Sequence, residues 1–284
     1  MQGEALAVSR MAAVRPRILS SHEASAPLRV GADRVLVLSD TGCRPGWQHD
    51  FRRLARNLRA DPRVRFDQIG AVIFNGDVVF TATERDYRRA RRVIEEEFAE
   101  VHRIFNIGNH ELGIPWPGRQ PETERRRVAR FRRHFHQDLN WRRTIGGIQY
   151  VGIDSSRKVL ARFSLEYLRQ ALADAEVNVV LTHVPPLLKR QWLGRTLYAD
   201  YTRQFLDLLD LFSGRILACV YGHIHANDRV LRRGVQHILA GTGGAQSRFR
   251  SHSDYGDDSG HYAAVLVDPN GGGDGRVRLI TSHA

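Results

Sequence analysis

Lysine is almost missing from this chain of 284 residues: among 43 basic side chains only Lys158 and Lys189 are lysines, and the other 41 are arginines. A bias of that strength follows from GC-rich coding as readily as from phosphate recognition. The formal charge of +12 is therefore a weak pointer to nucleic acid or another polyanion. Cysteine is scarce too. Cys43 and Cys219 cannot build a disulfide framework, and free thiols belong to a reducing compartment. No apolar run approaches the roughly 20 residues of a membrane span, and Arg10, Arg15 and Arg17 interrupt the start of the chain before a secretory core develops. The expectation from these absences is a cytoplasmic protein without a membrane span. What is abundant excludes wholesale disorder, since 42% hydrophobic and 26% charged residues can bury a core.

Residues 1–33 mix Ala, Ser, Arg and Pro without period and read as a flexible lead-in; 34–284 reads as one domain. Within it, five short apolar runs each end in a polar group. They are 34–40, 71–77, 103–110, 177–183 and 216–223, closing on Asp40, Asp77, Asn109-His110, His183 and His223. Continuous apolar runs of this length are buried strands. Helical spacing predicts helices over 47–59, 84–102, 121–137, 164–175 and 199–212, the fourth with Ser164 as N-cap. A hairpin is expected within 144–154, and a closing one joins 262–268 to 276–281 across Gly271-Gly272-Gly273. Alternating strands and helices imply an α/β layered domain with its ligands at the strand C-termini.

Those tips collect Asp40, Asp77, Asn109, His183, His223 and His225. Oxygen donors mixed with imidazoles suit Mn, Fe, Zn or Co. Six ligands are too many for one zinc and natural for two metals sharing a carboxylate. Gly76-Asp77, Gly108-Asn109-His110-Glu111, His183 and Gly222-His223-Ile224-His225, in this order, resemble the motif set of the calcineurin-like metallophosphoesterases. The resemblance implies a four-layer β-sandwich of two mixed sheets flanked by helices, and hydrolysis of phosphomonoesters or phosphodiesters by water activated at two divalent or mixed-valence ions. It implies that Asp77 bridges the ions, Asp40 and His225 hold one, and Asn109, His183 and His223 hold the other. It assigns His110 to the leaving oxygen as a catalytic residue.

The resemblance is incomplete. Where the usual first motif is Asp-x-His, this chain has Asp40-Thr41-Gly42. Purple acid phosphatases share Asp-x-Gly and compensate with a tyrosine, at a position that here is Phe80. Residues 222–229 and 241–245 also resemble their C-terminal motifs. The shortened first site motivates a rival reading, a degenerate phosphate-ligand or partner-binding module. A nuclease reading rests on charge alone, and the arginine-rich stretch 125–133 reads first as the solvated face of a helix packed through Val128, Phe131 and Phe135. Arg44 beside the first motif, and Arg248, Arg250 and His252 in the polar segment 246–261, are candidate substrate contacts.

Overall fold

The computed structural model describes residues 32–42, 46–113, 122–241 and 262–282. Two mixed sheets lie face to face. The first has β1 (Arg34–Leu38), β2 (Ile69–Asn75) and β3 (His102–Asn106) in parallel, extended beyond β1 by antiparallel β10 (Tyr262–Val267) and β11 (Val277–Ser282). The second runs in the order β4 (Trp141–Ile145), β5 (Ile148–Ile153), β6 (Asn178–Thr182), β7 (Ile216–Tyr221), β9 (Val235–Ala240), β8 (Asn227–Arg232). Its four middle strands are parallel and each edge strand is antiparallel.

Period-two alternation decides which layer each side chain enters. On β1, Val35 and Val37 face the space between the sheets, where they meet a cluster that includes Val179, Leu181, Val220 and Ile238. Leu36 and Leu38 point outward into a second cluster, under α1 (Trp47–Ala60), α2 (Glu84–Glu97) and α3 (Glu124–Phe135). The outer face of the other sheet packs Val180, Cys219 and Tyr221 against α4 (Arg162–Asp174) and α5 (Ala199–Leu211). Because helices cover both outer faces, the central strands are apolar on each side and read as unbroken runs.

Three sequence expectations change. The second helix stops at Glu97, and His102 opens β3 instead. Ser164 is no cap: α4 begins at Arg162 with Ala161 before it, while the buried Ser164 hydroxyl accepts a hydrogen bond from Asn140 Nδ2 at 3.0 Å. The β8–β9 hairpin had no flag in the sequence pattern. Its turn is Arg233-Gly234, both at positive φ (48° and 79°), the two-residue geometry that matches strand twist. The expected lead-in at 1–33 lies almost wholly outside the described residues. No helix among the described residues is long and apolar enough to cross a membrane.

Under α5, the buried His237 ring on β9 receives the Tyr221 hydroxyl at Nδ1 (2.8 Å), beside Cys219, with Arg232 and Asp210 the charges acting on it. Burial, reinforced by Arg232, pushes its imidazole from 6.5 down to about 4. Between those values the unfolded chain takes up a proton that the fold refuses. This ring's contribution to stability is therefore full above pH 6.5 and declines as pH falls toward 4. Between pH 7 and 4.5 the unfolding free energy of His237→Gln should fall by about 2 kcal/mol less than that of the parent, both metal-free. Parallel profiles in chemical denaturation would contradict this.

Candidate metal centre

All six strand-tip residues converge at one end of the sandwich. Two buried asparagines hold the sheets together just beneath them. Asn75 Nδ2 donates to the Thr182 and Val220 carbonyls (3.1 and 3.2 Å), and Asn106 Nδ2 donates to Asn75 Oδ1 (2.9 Å). These bonds carry the tips of β2 and β3 to those of β6 and β7. The backbone at the tips is contorted. Among the non-glycine residues at positive φ are Asp40 (57°), Asp77 (57°), His223 (71°) and His225 (57°). Such strain persists where surrounding structure enforces it, and it concentrates at functional sites. Gly76 precedes Asp77 because φ is 87° there and a Cβ would lie 2.5 Å from His183 Nδ1.

The donors fall into two groups. Ligand atoms of Asp77, His183 and His223 all lie within 4.8 Å of one another, as do those of Asp40, Asp77 and His225. Asp77 belongs to both. Asn109 Oδ1 closes the first group, 3.2 Å from His183 Nε2 and 2.7 Å from His223 Nδ1. His183 Nε2 is 3.1 Å from Asp77 Oδ2, and His225 Nε2 is 3.4 Å from Asp40 Oδ1. Two of the ligands are anchored by the backbone around them. His183 Nδ1 donates to the Asn75 carbonyl (3.0 Å), which turns Nε2 into the site. Asp40 accepts the His223 backbone N–H at 3.0 Å.

Electrostatics follow from burying two carboxylates among imidazoles. Burial opposes ionisation of Asp77, yet His183 and His110 beside it hold its carboxyl well below the usual carboxylate range. Burial likewise opposes charge on His183, but Asp77 overcomes it and raises the imidazole to about 10. His223 goes the other way: burial and the His183 charge push it down to about 3, with Lys158 acting in the same direction. A cluster that draws a proton this strongly onto one imidazole is equally suited to a cation.

Two neighbours position the cluster. Glu111 is wholly buried, and its carboxylate accepts four backbone N–H groups: Asp77 (2.9 Å), Val78 (2.8 Å), Val79 (3.1 Å) and Gly108 (2.7 Å). It thereby clamps the second motif to the third. Burial and the Asp77 charge push its carboxyl up to about 7, against the pull of those donors. His110 donates its backbone N–H to Asp77 Oδ1 (2.8 Å), and its Nδ1 meets the Phe80 carbonyl at 2.8 Å. That carbonyl requires a hydrogen on Nδ1, so Nε2, 3.8 Å from Asp77 Oδ2, is the nitrogen that faces the cluster.

The departure at the first motif has a steric cause. A Cβ on Gly42 would lie 2.0 Å from the Val78 carbonyl oxygen, because the Gly42 N–H donates to the Asp77 carbonyl at 2.7 Å and draws the loops together. No imidazole fits there. Phe80 supplies no ligand atom; its ring instead lies beside His110, with centroids 5.8 Å apart. Asp154 supports its own loop, accepting from the Ser156 N–H and Oγ (3.0 and 2.6 Å) and from Arg157 (3.0 Å). Arg44, Arg248, Arg250 and His252 lie outside the described residues.

A family model for calcineurin-like phosphoesterases matches residues 33–227. The chain belongs to that family. Among solved structures, the purple acid phosphatase PPD1 of yellow lupin (Lupinus luteus) superposes with a TM-score of 0.63 at 14% identity, over 88% of this chain and 51% of that one. The chain thus spans about half the length of the lupin protein. A dimetal phosphatase of Danio rerio gives 0.54 at 14% identity over 88% and 98% of the two chains. GAP50, described as the anchor in the inner membrane complex of Plasmodium, gives 0.54 at 13% identity over 88% and 89%. No curated protein matches the chain. At these identities the superpositions establish the fold, a two-sheet sandwich flanked by helices as the motifs implied.

Proposed function

We propose that this phosphoesterase hydrolyses phosphate esters at a two-metal site, with Asp77 shared between the ions. The observation that carries the reading is the pair of donor groups meeting at that one carboxylate. Their chemistry fits the ions: hard oxygens and imidazoles select Mn, Fe, Zn or Co over soft-metal chemistry. Asp77, Asn109, His183 and His223 would hold one ion, and Asp40, Asp77 and His225 the other. When bound, such a pair neutralises phosphate oxygens and lowers the pKa of water for in-line attack. The chain's own residues do the remainder. Asp77 would lie between the two positive charges, and the Asn75 carbonyl keeps His183 turned inward. His110 Nε2, its ring held by the Phe80 carbonyl, would pass a proton to the leaving oxygen.

A second reading is a phosphate-ligand or partner-binding module. Its motivation is that the group around Asp40 has three protein donors and loses an imidazole to the crowding at Gly42. Fold does not separate the two readings, because the same sandwich serves two phosphatases and a protein described as an anchor. The arginines do not favour nucleic acid. Arg91, Arg92 and Arg130 pair with Glu95, Glu96 and Glu122 among the helices. We assign a cytoplasmic location, on the scarcity of cysteine, since two thiols build no disulfide framework. The test is metal analysis of the purified protein with turnover of nitrophenyl mono- and diesters in Mn, Fe, Zn and Co. About two ions per chain with metal-dependent turnover supports the enzyme. One ion or none, without turnover, supports the binding module.

A further inference from the structure

The two lysines of this arginine-rich chain lie on the loops that follow β5 and β6. Lys189 pairs with buried Asp228 (2.7 Å), three residues after His225, and Trp192 Nε1 donates to the same carboxylate (3.2 Å). That lysine is spent on holding its loop. Lys158 is different. It lies in the loop after β5, half-buried, at φ 61°. The loop is fastened to the strand tip beside it: Ser155 Oγ accepts the N–H of Val184, the residue after His183, at 2.8 Å. The Lys158 backbone is held at both ends, its N–H by the Ser155 carbonyl (2.9 Å) and its carbonyl by the Tyr198 N–H (3.0 Å). Its ammonium donates only to a surface carbonyl among the bonds described, Gly194 O at 2.8 Å. No carboxylate in the described residues forms an ion pair with it.

An ammonium without a counter-ion, anchored by its backbone beside a cation-binding cluster, is poised for an anion. We propose that Lys158 leaves the Gly194 carbonyl to grip a phosphate oxygen of the substrate, adding a charge at the edge of the site where the loop after β5 is tied to the tip of β6. The inference rests on the two-metal reading for where the phosphate lies. A compact ammonium on a flexible four-carbon stem suits that swing better than a rigid guanidinium fork. Its attraction grows with the charge on the ester, so the site would favour a dianionic monoester over a monoanionic diester.

The probe is inorganic phosphate, titrated calorimetrically into manganese-loaded protein, beside KM and kcat for p-nitrophenyl phosphate and bis(p-nitrophenyl) phosphate. Lys158→Gln should weaken phosphate about tenfold and raise the monoester KM by a similar factor, with a smaller change for the diester and metal content unchanged. Lys158→Arg keeps the charge and should stay within about threefold. Equal losses in both variants would assign Lys158 to loop support alone and overturn the proposal, as would an unchanged phosphate affinity in Lys158→Gln. Phosphate binding that needs Lys158 in a protein without turnover would support the inference while removing the enzymatic reading.

Discussion

Asp77→Asn is expected to lower ester turnover by about 10³-fold or more and to weaken both metals together. The reason lies in the shared carboxylate. Asp77 is the one residue common to both donor groups, and in the proposed two-metal site its charge would screen the ions from each other. Removing that charge leaves the amide oxygen as a poor donor, while the mutual repulsion of the ions is no longer offset. The fold should tolerate the change, because Asn Oδ1 can still accept the His110 N–H that Asp77 Oδ1 accepts at 2.8 Å. The check is metal stoichiometry and turnover, with thermal unfolding of the metal-free protein as control. A variant retaining two tightly held ions would remove Asp77 from the bridging role. His223→Ala, by contrast, should weaken the ion of its own group far more than the other.

Glu111→Gln should be the most damaging conservative change to the fold. Four backbone N–H groups converge on its carboxylate, two on each oxygen. A glutamine presents an NH₂ to one of those pairs, and two buried donors then face a third. At about 1–3 kcal/mol for each buried donor left unsatisfied, the loss is about 3 kcal/mol or more, a fall of roughly 10 °C in Tm for a domain of this size. The amides of Asp77, Val78, Val79 and Gly108 should exchange faster, and metal affinity should drop although Glu111 donates to no ion. A melting temperature within a degree or two of the parent would show that the clamp contributes little.

The two variants separate chemistry from scaffolding. Asp77→Asn removes charge and spares the frame, whereas Glu111→Gln spares the ligands and loosens the backbone beneath them. Amide exchange at Val78, Val79 and Gly108 is the discriminating measurement, because only the second variant removes the acceptor those N–H groups share.

The amino-acid sequence by itself determined the layered architecture and the identity of the polar tips. Unbroken apolar runs such as 71–74 have one stable use, a strand covered on both faces. A polar residue at the end of each run has to emerge where the sheets stop. That is why Asp40, Asp77, Asn109, His183, His223 and His225 were legible as a set before any coordinates. Local signals that compete with tertiary packing were less legible. Ser164 looked like a cap because its chemistry permits one, but burial against Asn140 gave the hydroxyl another partner. The β8–β9 hairpin has little signature in the sequence, because Arg233-Gly234 carries a weaker turn signal than Asn-Gly.

Only the tertiary structure decided what holds the tips together and what borders them. Asn75 reaches carbonyls 107 and 145 residues away, and Glu111 clamps amides more than 30 residues back. Distances along the chain of that size carry no sequence pattern. The missing imidazole at position 42 likewise found its cause in the Val78 carbonyl, and the scarce lysines acquired meaning from where the loops set them down. Side-chain type is written in the chain, but a buried donor finds its acceptor only when the sheets have closed on each other.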